Sequence, residues 1–146
     1  MGLDLKPILT NKNIQLNDLS NKIIAVDAFN TILHFLATIR GSTGELLANS
    51  QGEITSHLSG LFYRNINLLA EGIRLDYVFD GVPNDLKIDE IQRRRQIKEL
   101  ATEKYEKAIL QGKPEEARKY GQATSVLTDK MIEESKKLLS LLGIPT

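Results

Sequence analysis

Two aspartates stand at the ends of two short apolar segments, and they are the residues of this sequence best suited to chemistry. Residues 22–27 read KIIAVD, and residues 74–80 read RLDYVFD. Continuous apolar runs rich in β-branched residues are typical of strands within a parallel sheet. We therefore predict two strands, the first of them buried on both faces, that end at Asp27 and Asp80.

The predicted place of these two carboxylates favours a metal site. In an open parallel sheet, ligands bind outside the carboxyl ends of the strands. If the two strands are neighbours, the Cα atoms of Asp27 and Asp80 lie about 5 Å apart. Like charges that close repel unless a cation neutralises them, and Mg²⁺ takes one or two carboxylates while keeping several waters. The alternative is that each aspartate only forms a turn or caps a helix.

A basic helix is predicted directly after the second aspartate. The chain continues as VPNDLKIDEIQRRRQIKEL, in which Lys87, Arg94 and Lys98 recur at i, i+7 and i+11 and so share one helix face. Cations on that face could clamp a phosphate beside the carboxylates. The alternative is an ordinary solvated face, because acidic residues stand four positions before two of the arginines.

Helices are predicted between and after the two strands. They cover roughly residues 31–40 with Asn30 or Thr31 as cap, 55–72 with Thr55 or Ser56 as start, 84–110, the segment from Pro114, and a last stretch that Gly143 ends. Residues 144–146 look like the approach to another strand. The pattern predicts an α/β fold with a parallel sheet. Because two strands leave exposed edges, we expect the 146 residues to be the first part of a larger sheet.

Composition excludes several classes of protein and site. The sequence has no cysteine and two histidines, so thiolate or histidine-rich zinc sites and disulfides are excluded. Lysine plus arginine and aspartate plus glutamate both number 19, so nucleic-acid binding would have to rest on local patches. No run approaches the ~18 apolar residues of a membrane span, and the N-terminus lacks a signal-peptide core. We expect a soluble, cytoplasmic protein.

Five blocks of the sequence resemble the flap endonucleases, within the wider group of structure-specific 5′ nucleases. In order they are the initial MG, KIIAVDAFNT, SQGEITSHLSGLFYRNIN, YVFDGVPNDLK and the closing KKLLSLLGIP. The VDAFNT form is similar to archaeal members. The resemblance covers nearly the whole chain. It implies the N-terminal portion, residues 1–146, of a parallel-sheet, PIN-like 5′-nuclease fold that is truncated here, with a helical gateway or arch at about 84–128.

The resemblance also implies roles for individual residues. Asp27 and Asp80 match metal-binding carboxylates for Mg²⁺, of which the complete protein holds two ions and for which Mn²⁺ can substitute. Lys87 and Arg94 match catalytic gateway residues that contact the scissile phosphate. The residues predicted to bind DNA are Gly2, Arg40, Thr55 and Arg64, from the resemblance, and Lys98, from its place on the basic face.

The sequence departs from the family pattern in two ways. Leu33 stands where many relatives have a tyrosine that stacks on a base, and leucine lacks that aromatic platform. In addition, the paired-glutamate segment, the later aspartates, the helix-hairpin-helix element and the tail that binds the sliding clamp do not occur in these residues. We therefore expect this portion alone to be inactive or nearly so.

The predicted function is that of a structure-specific 5′ flap endonuclease and 5′–3′ exonuclease of DNA replication and repair. It would cut branched DNA with a 5′ flap by two-metal phosphodiester hydrolysis. The alternatives are a PIN-type single-strand ribonuclease, which shares strand-end carboxylates, and a non-catalytic DNA-binding fragment. A phosphatase of the haloacid dehalogenase type is disfavoured, because Phe29 stands where its D-x-D-x-T motif needs the second aspartate.

Overall fold

The computed structural model describes residues 12–81 and 88–146, the second range without the side chains of residues 88–92, 94 and 95. Its elements, in chain order, are a 3₁₀ turn (Leu16–Leu19), β1 (Ile23–Asp27), α1 (Ala28–Thr38), α2 (Ser56–Ala70), β2 (Arg74–Val78), α3 (Ile88–Leu110), α4 (Pro114–Gly121), a second 3₁₀ turn (Gln122–Thr124) and α5 (Asp129–Leu141). Within those ranges, no helix is long and apolar enough to cross a membrane. The chain is α/β, as predicted.

The two strands form a parallel pair, which confirms the predicted sheet. Ile23 lies opposite Arg74, and Asp27 lies opposite Val78. On the other edge of β2, the Tyr77 N–H donates to the Pro145 carbonyl at 3.0 Å. The segment after α5 therefore runs against that edge, where we predicted the approach to another strand.

The prediction that β1 is buried on both faces is wrong for the described part of the chain. Ile24 and Val26 pack against the core, whereas Ile23 is 64% exposed on the opposite face. β2 behaves in the same way, since Tyr77 is buried and Val78 is 52% exposed. The apolar pattern is typical of a sheet with a core on both faces. Among the described residues, however, the core that α1, α2 and α5 build lies on one face of the sheet.

The first helix begins earlier than predicted. α1 starts at Ala28 rather than near Thr31, because Asp27 is its N-cap and its Oδ1 accepts the Asn30 N–H at 2.9 Å. An aspartate directly before a helix satisfies one of the first free backbone donors. The helix then ends at Thr38, so that Arg40 lies outside it, in a bridge to Leu46.

The later helices follow the sequence signals closely. Pro114 occupies the first turn of α4, as predicted. Gly72 after α2 and Gly143 after α5 have φ of +74° and +70°, the left-handed conformation that glycine adopts at helix ends.

A buried hydrogen bond joins α2 to the sheet: the Tyr77 hydroxyl donates to Asn65 Oδ1 at 2.8 Å.

Candidate functional site

Asp27 is positioned by the junction of β1 and α1. It is the last residue of the strand, its side chain is exposed, and its Oδ1 caps the helix. Asp27 therefore does cap the helix, which was the alternative to a metal-binding role. It does not compete with metal binding, because an ionised carboxylate offers about four acceptor positions and the cap uses one.

Asp80 lies beyond the strand rather than at its end. β2 stops at Val78, so the prediction that Asp80 is the last strand residue is wrong. Because Val78 is opposite Asp27, the two aspartates are two residues out of register. An extended continuation would place their Cα atoms roughly 8 Å apart instead of about 5 Å. Two aspartate side chains and one ion, at about 2.1 Å from each oxygen, can still span that distance.

An aromatic contact brings the two strand-end segments together. The rings of Phe29 and Phe79, which stand two residues after Asp27 and one before Asp80, pack edge to face with centroids 5.7 Å apart. The Lys136 ammonium from α5 lies 4.8 Å from the Phe79 ring centroid, within the range of a cation–π contact. Lys136 could not be predicted from the sequence, because no local spacing connects it to residues more than fifty positions away.

The predicted basic face lies on α3, but the structure describes little of it. Lys87 and Gly2 are outside the described residues, and of Arg94 only the backbone, within α3, is described. Lys98 lies on the same helix and is half-buried. Residues four apart share a helix face, so Arg94 and Lys98 are neighbours. Their approach to the two aspartates stays a prediction.

α3 and α4 form a helical hairpin in the region predicted to be the gateway. The chain turns at Gly112, which has a φ of +65°. Ala108 and Ala117 are buried, and Lys104 lies 5.7 Å from the centroid of the Tyr120 ring. Small residues on the packed faces let the two helices approach closely, while the charged side chains that the structure describes on them, apart from Lys98, are exposed.

Arg40 is held by neutral acceptors at the end of α1. Its Nε donates to the Leu36 carbonyl at 2.9 Å, its Nη1 to the Gly44 carbonyl at 2.7 Å, and its Nη2 to Ser125 Oγ at 2.9 Å. Burial lowers the pKa of the guanidinium, and the Tyr105 hydroxyl partly opposes this shift. The predicted DNA contact of Arg40 would therefore use a side chain that already has three protein partners.

Thr55 and Arg64 remain available for the predicted DNA contacts. Thr55 is the N-cap of α2, yet its side chain makes no capping hydrogen bond. Its backbone N–H donates instead to the Leu47 carbonyl at 2.7 Å. Arg64 is exposed on α2. Neither contact is tested by the protein's own geometry.

The donor set fits a hard cation but is small. Among the described residues, no three or more histidine, aspartate or glutamate side chains come together. Asp27 and Asp80 supply the oxygen ligands that Mg²⁺ prefers. These two carboxylates suit one weakly held ion, and a two-ion centre needs further ligands.

An apolar groove of about 470 Å³ lies between α2 and α5, and none of the predicted site residues that the structure describes lines it. It is lined by Leu58, Ser59, Phe62, Tyr63, Glu134, Lys137, Leu138 and Leu141. Its mainly hydrophobic walls do not suit a phosphate backbone, so the groove is no rival to the strand ends as a nuclease site.

Comparison with known proteins identifies what the chain is similar to. Residues 2–101 match the family model of the XPG N-terminal domain. The chain is 56% identical over 145 residues to flap endonuclease 1 of Nitrosopumilus maritimus, covering 99% of this chain and 43% of that protein. It is 50% identical to flap endonuclease 1 of Pyrococcus furiosus, with the same coverage. The chain thus spans about 43% of the length of these curated relatives.

Solved structures give the same result. The flap endonuclease-1 structure from Methanococcus jannaschii matches with a TM-score of 0.63 at 42% identity, covering 98% of this chain and 45% of that one. The catalytic core of Rad2 in complex with DNA substrate matches with a TM-score of 0.55 at 28% identity, covering 92% of this chain and 30% of that one.

Proposed function

This chain belongs to the flap endonuclease 1 family through its XPG N-terminal domain, and we propose that it supplies Asp27 and Asp80 to the metal centre of a 5′ flap endonuclease. The full-length protein would cut branched DNA in replication and repair. The observation that carries the proposal is the convergence of two strand ends, through the parallel register and the Phe29–Phe79 contact, with one exposed aspartate on each.

The two aspartates would act as oxygen ligands. Bound Mg²⁺, with Mn²⁺ as a substitute and two ions in the complete protein, supplies activation of a water and stabilisation of the leaving oxygen. Asp27 would bind through the oxygen positions that its helix cap leaves open. Asp80, exposed beyond β2, would approach from the neighbouring strand end. The remaining ligands would come from parts of the full-length protein outside these residues.

Basic residues would hold the DNA. Lys87 and Arg94 would contact the scissile phosphate, with Lys98 beside them, and all keep their charge at neutral pH. They therefore act as electrostatic clamps rather than general bases. The α3–α4 hairpin would form the gateway, at about residues 84–128, under which the 5′ flap passes. The DNA-bound Rad2 core among the similar structures supports DNA as the substrate class.

Further contacts would lie around the junction of the branched DNA. Arg64 would contact a phosphate from the surface of α2. The Thr55 hydroxyl, which makes no capping hydrogen bond, would donate to another phosphate. Gly2 would lie near the active site. From the family resemblance we also propose that the full-length protein binds the sliding clamp through a tail outside these residues. A cytoplasmic, nucleoid-associated location follows from this role.

The test uses the full-length protein and its Asp27→Ala and Asp80→Ala variants. We expect cleavage of a labelled 5′-flap substrate in Mg²⁺ to fall on the order of a hundredfold or more, because each change removes a metal ligand. Binding of the same flap should stay within a few-fold of wild type, since affinity rests on basic contacts. Equal loss of binding and cutting would count against the metal role.

A matched variant separates metal binding from helix capping. Asparagine is as good an N-cap as aspartate, whereas alanine costs about 1 kcal/mol. Asp27→Asn should therefore keep wild-type stability and lose cleavage. Asp27→Ala should lose cleavage and also have a lower free energy of unfolding. If Asp27→Asn cuts normally, Asp27 is only a cap. Faster cutting of single-stranded RNA than of flap DNA would instead support a PIN-type ribonuclease.

A further inference from the structure

Lys136 brings a positive charge from α5 to the strand-end edge of the sheet. Its Nζ lies 4.8 Å from the centroid of the Phe79 ring, and Phe79 directly precedes Asp80 in the chain. The Cα atoms of consecutive residues are about 3.8 Å apart, so this ring and the Asp80 carboxylate leave the backbone at neighbouring points. α5 therefore places an ammonium beside the segment that carries Asp80.

Two packed aromatic rings define the place where this ammonium lies. The Phe79 ring packs edge to face against Phe29, with centroids 5.7 Å apart. Phe29 is in the first turn of α1, two residues after Asp27. Phe79 also packs against the hydrophobic core. The aromatic pair thus joins the two strand-end segments, and Lys136 lies on one of its rings.

The contact with the ring orients the ammonium without using up its hydrogen-bond donors. The face of an aromatic ring attracts a cation through the ring quadrupole, whereas an ammonium has three N–H donors that need acceptors. Lys136 is exposed, and in the described part of the chain no carboxylate forms an ion pair with it. By contrast, Lys130 on the same helix binds Glu53 at 2.6 Å. Lys136 therefore keeps donors for an external anion.

A DNA phosphate is the anion that the proposed function brings to this edge. Asp27 and Asp80 would repel the DNA backbone, which carries one negative charge per nucleotide, unless cations lie close by. Bound metal ions offset part of this repulsion. A lysine held at the same edge offsets more of it and also donates hydrogen bonds to phosphate oxygens.

The next residue of α5 is a lysine that lies elsewhere. Consecutive residues of an α-helix point about 100° apart, and Lys137 lines the apolar groove together with Leu58 and Phe62 of α2. Lys136 and Lys137 are both exposed. The helix thus carries two lysines of equal chemistry and similar exposure, of which Lys136 contacts the strand-end segment and Lys137 lines the groove with α2.

We propose that Lys136 contacts a phosphate of the bound DNA beside the metal centre, as a further DNA-binding residue contributed by α5. The proposal rests on the proposed function, because only then does DNA reach the strand ends. α5 begins at Asp129, outside the gateway proposed at about residues 84–128. Lys136 therefore approaches the phosphate from a different element than Lys87 and Arg94.

The test compares three variants of the full-length protein. Lys136→Met removes the charge but keeps an unbranched stem that packs on the Phe79 ring. Lys136→Arg keeps both the charge and the contact with the ring. Lys137→Met is the matched control. Single-turnover cleavage of a labelled 5′ flap in Mg²⁺ gives the rate at saturation and, from the half-saturating protein concentration at several salt concentrations, the slope of log affinity against log salt.

We expect Lys136→Met to reduce that slope by about one, the change for one lost phosphate contact. Its cleavage rate at saturation should fall roughly tenfold, because a substrate held less well in place reacts more slowly. Lys136→Arg should stay close to wild type in both properties, and so should Lys137→Met.

A set of modified flaps locates the contact. In each flap, one phosphate next to the cut is replaced by an uncharged methylphosphonate. At the contacted phosphate, the wild-type protein should lose as much affinity as Lys136→Met loses on unmodified DNA, and Lys136→Met should lose nothing further. A lysine that only stabilises the packing of Phe79 would give additive losses at every position.

Three results would overturn the proposal: an unchanged salt slope in Lys136→Met, an equal loss in Lys136→Arg, or additive losses at every methylphosphonate. Lys136→Gln provides a second uncharged side chain if Lys136→Met fails to fold. Absence of flap cleavage by the wild-type protein would contradict the proposed function itself, so the two failures are distinguishable.

Discussion

At the scale of single residues, the carboxylate of Asp27 combines two tasks that the sequence presented as alternatives. Its Oδ1 accepts the Asn30 N–H, which fixes the start of α1, and its other acceptor positions face outward on an exposed side chain. The positive end of a helix dipole also favours a negative charge at this place. Capping and metal binding are therefore compatible.

His57 is the other residue whose chemistry depends on its surroundings. Its side chain is fully buried, its Nε2 lies 3.2 Å from Glu134 Oε2, and its Nδ1 has no partner within the described part of the chain. Burial lowers the pKa of the imidazole below its ordinary 6.5, and the Glu134 carboxylate opposes this shift less strongly. The folded protein thus prefers the neutral ring.

This preference predicts a loss of stability in mild acid. As pH falls below about 6.5, the unfolded chain binds a proton at His57 before the folded chain does. The free energy of unfolding is therefore full above that pH and declines below it, by at most about 1.4 kcal/mol per pH unit for one proton. Urea unfolding between pH 7.5 and 5 should show a shallower decline in His57→Gln than in wild type.

His34 provides the control for this measurement. It is exposed on α1, so His34→Gln is the same substitution at an imidazole outside the core. An unchanged decline in His57→Gln would show that other groups cause the acid sensitivity.

At the scale of elements, the packing of α1 on α2 depends on the absence of a side chain at Gly60. A Cβ on Gly60 would overlap the ring of Phe35, which is 5% exposed and enclosed by the core. The glycine within α2 is therefore explained by tertiary packing. Helix propensity by itself favours alanine at such a position by about 1 kcal/mol.

Gly60→Ala tests which of these two effects dominates. We expect the free energy of unfolding to fall by about 1–3 kcal/mol, because the extra methyl overpacks a dense core. The neighbouring Ser59→Ala, which adds no atom, should change it by about 0.5 kcal/mol or less. Denaturant titration of both variants gives the comparison.

A double variant makes the cause specific. Phe35→Leu should rescue part of the loss in Gly60→Ala, so that the two changes are not additive. A Gly60→Ala protein as stable as wild type would mean that Phe35 moves aside freely.

At the scale of the whole molecule, the sheet is covered on one face within the described residues. Ile23 and Val78 remain exposed on the other face, the face that also carries Asp27 by strand alternation. β2 already bonds to Pro145 on its second edge. The curated relatives are more than twice as long as this chain.

We therefore predict that the 146 residues alone bind Mg²⁺ with a millimolar or weaker dissociation constant and do not cut. Two carboxylates leave most of the coordination shell to water. Calorimetric titration with Mg²⁺ and a fluorescent 5′-flap assay measure the two properties. Robust cleavage that Asp80→Ala abolishes would show that these residues suffice. Weak binding without turnover agrees with a purely DNA-binding role for this portion in isolation.

Local sequence signals predicted the types of element and most of their limits. β-branched runs act through the conformational preference of each residue, and Pro114, Gly72 and Gly143 act within one helical turn. The place of Asp27 at the end of its strand could be predicted for the same reason, since strand, cap and helix are adjacent in the chain. The family resemblance then indicated the chemistry.

How distant segments meet could be seen only in the folded protein. The register that puts Asp80 two residues past Asp27, the cation of Lys136 over Phe79, and the bond from Arg40 to Ser125 all join residues far apart in sequence. Such contacts depend on the shapes of several packed elements at once, which periodicity and propensity do not encode. For the same reason the hydrogen bonds of Arg40, which the sequence assigned to DNA, could not be predicted; its side chain is half-buried and has three protein partners.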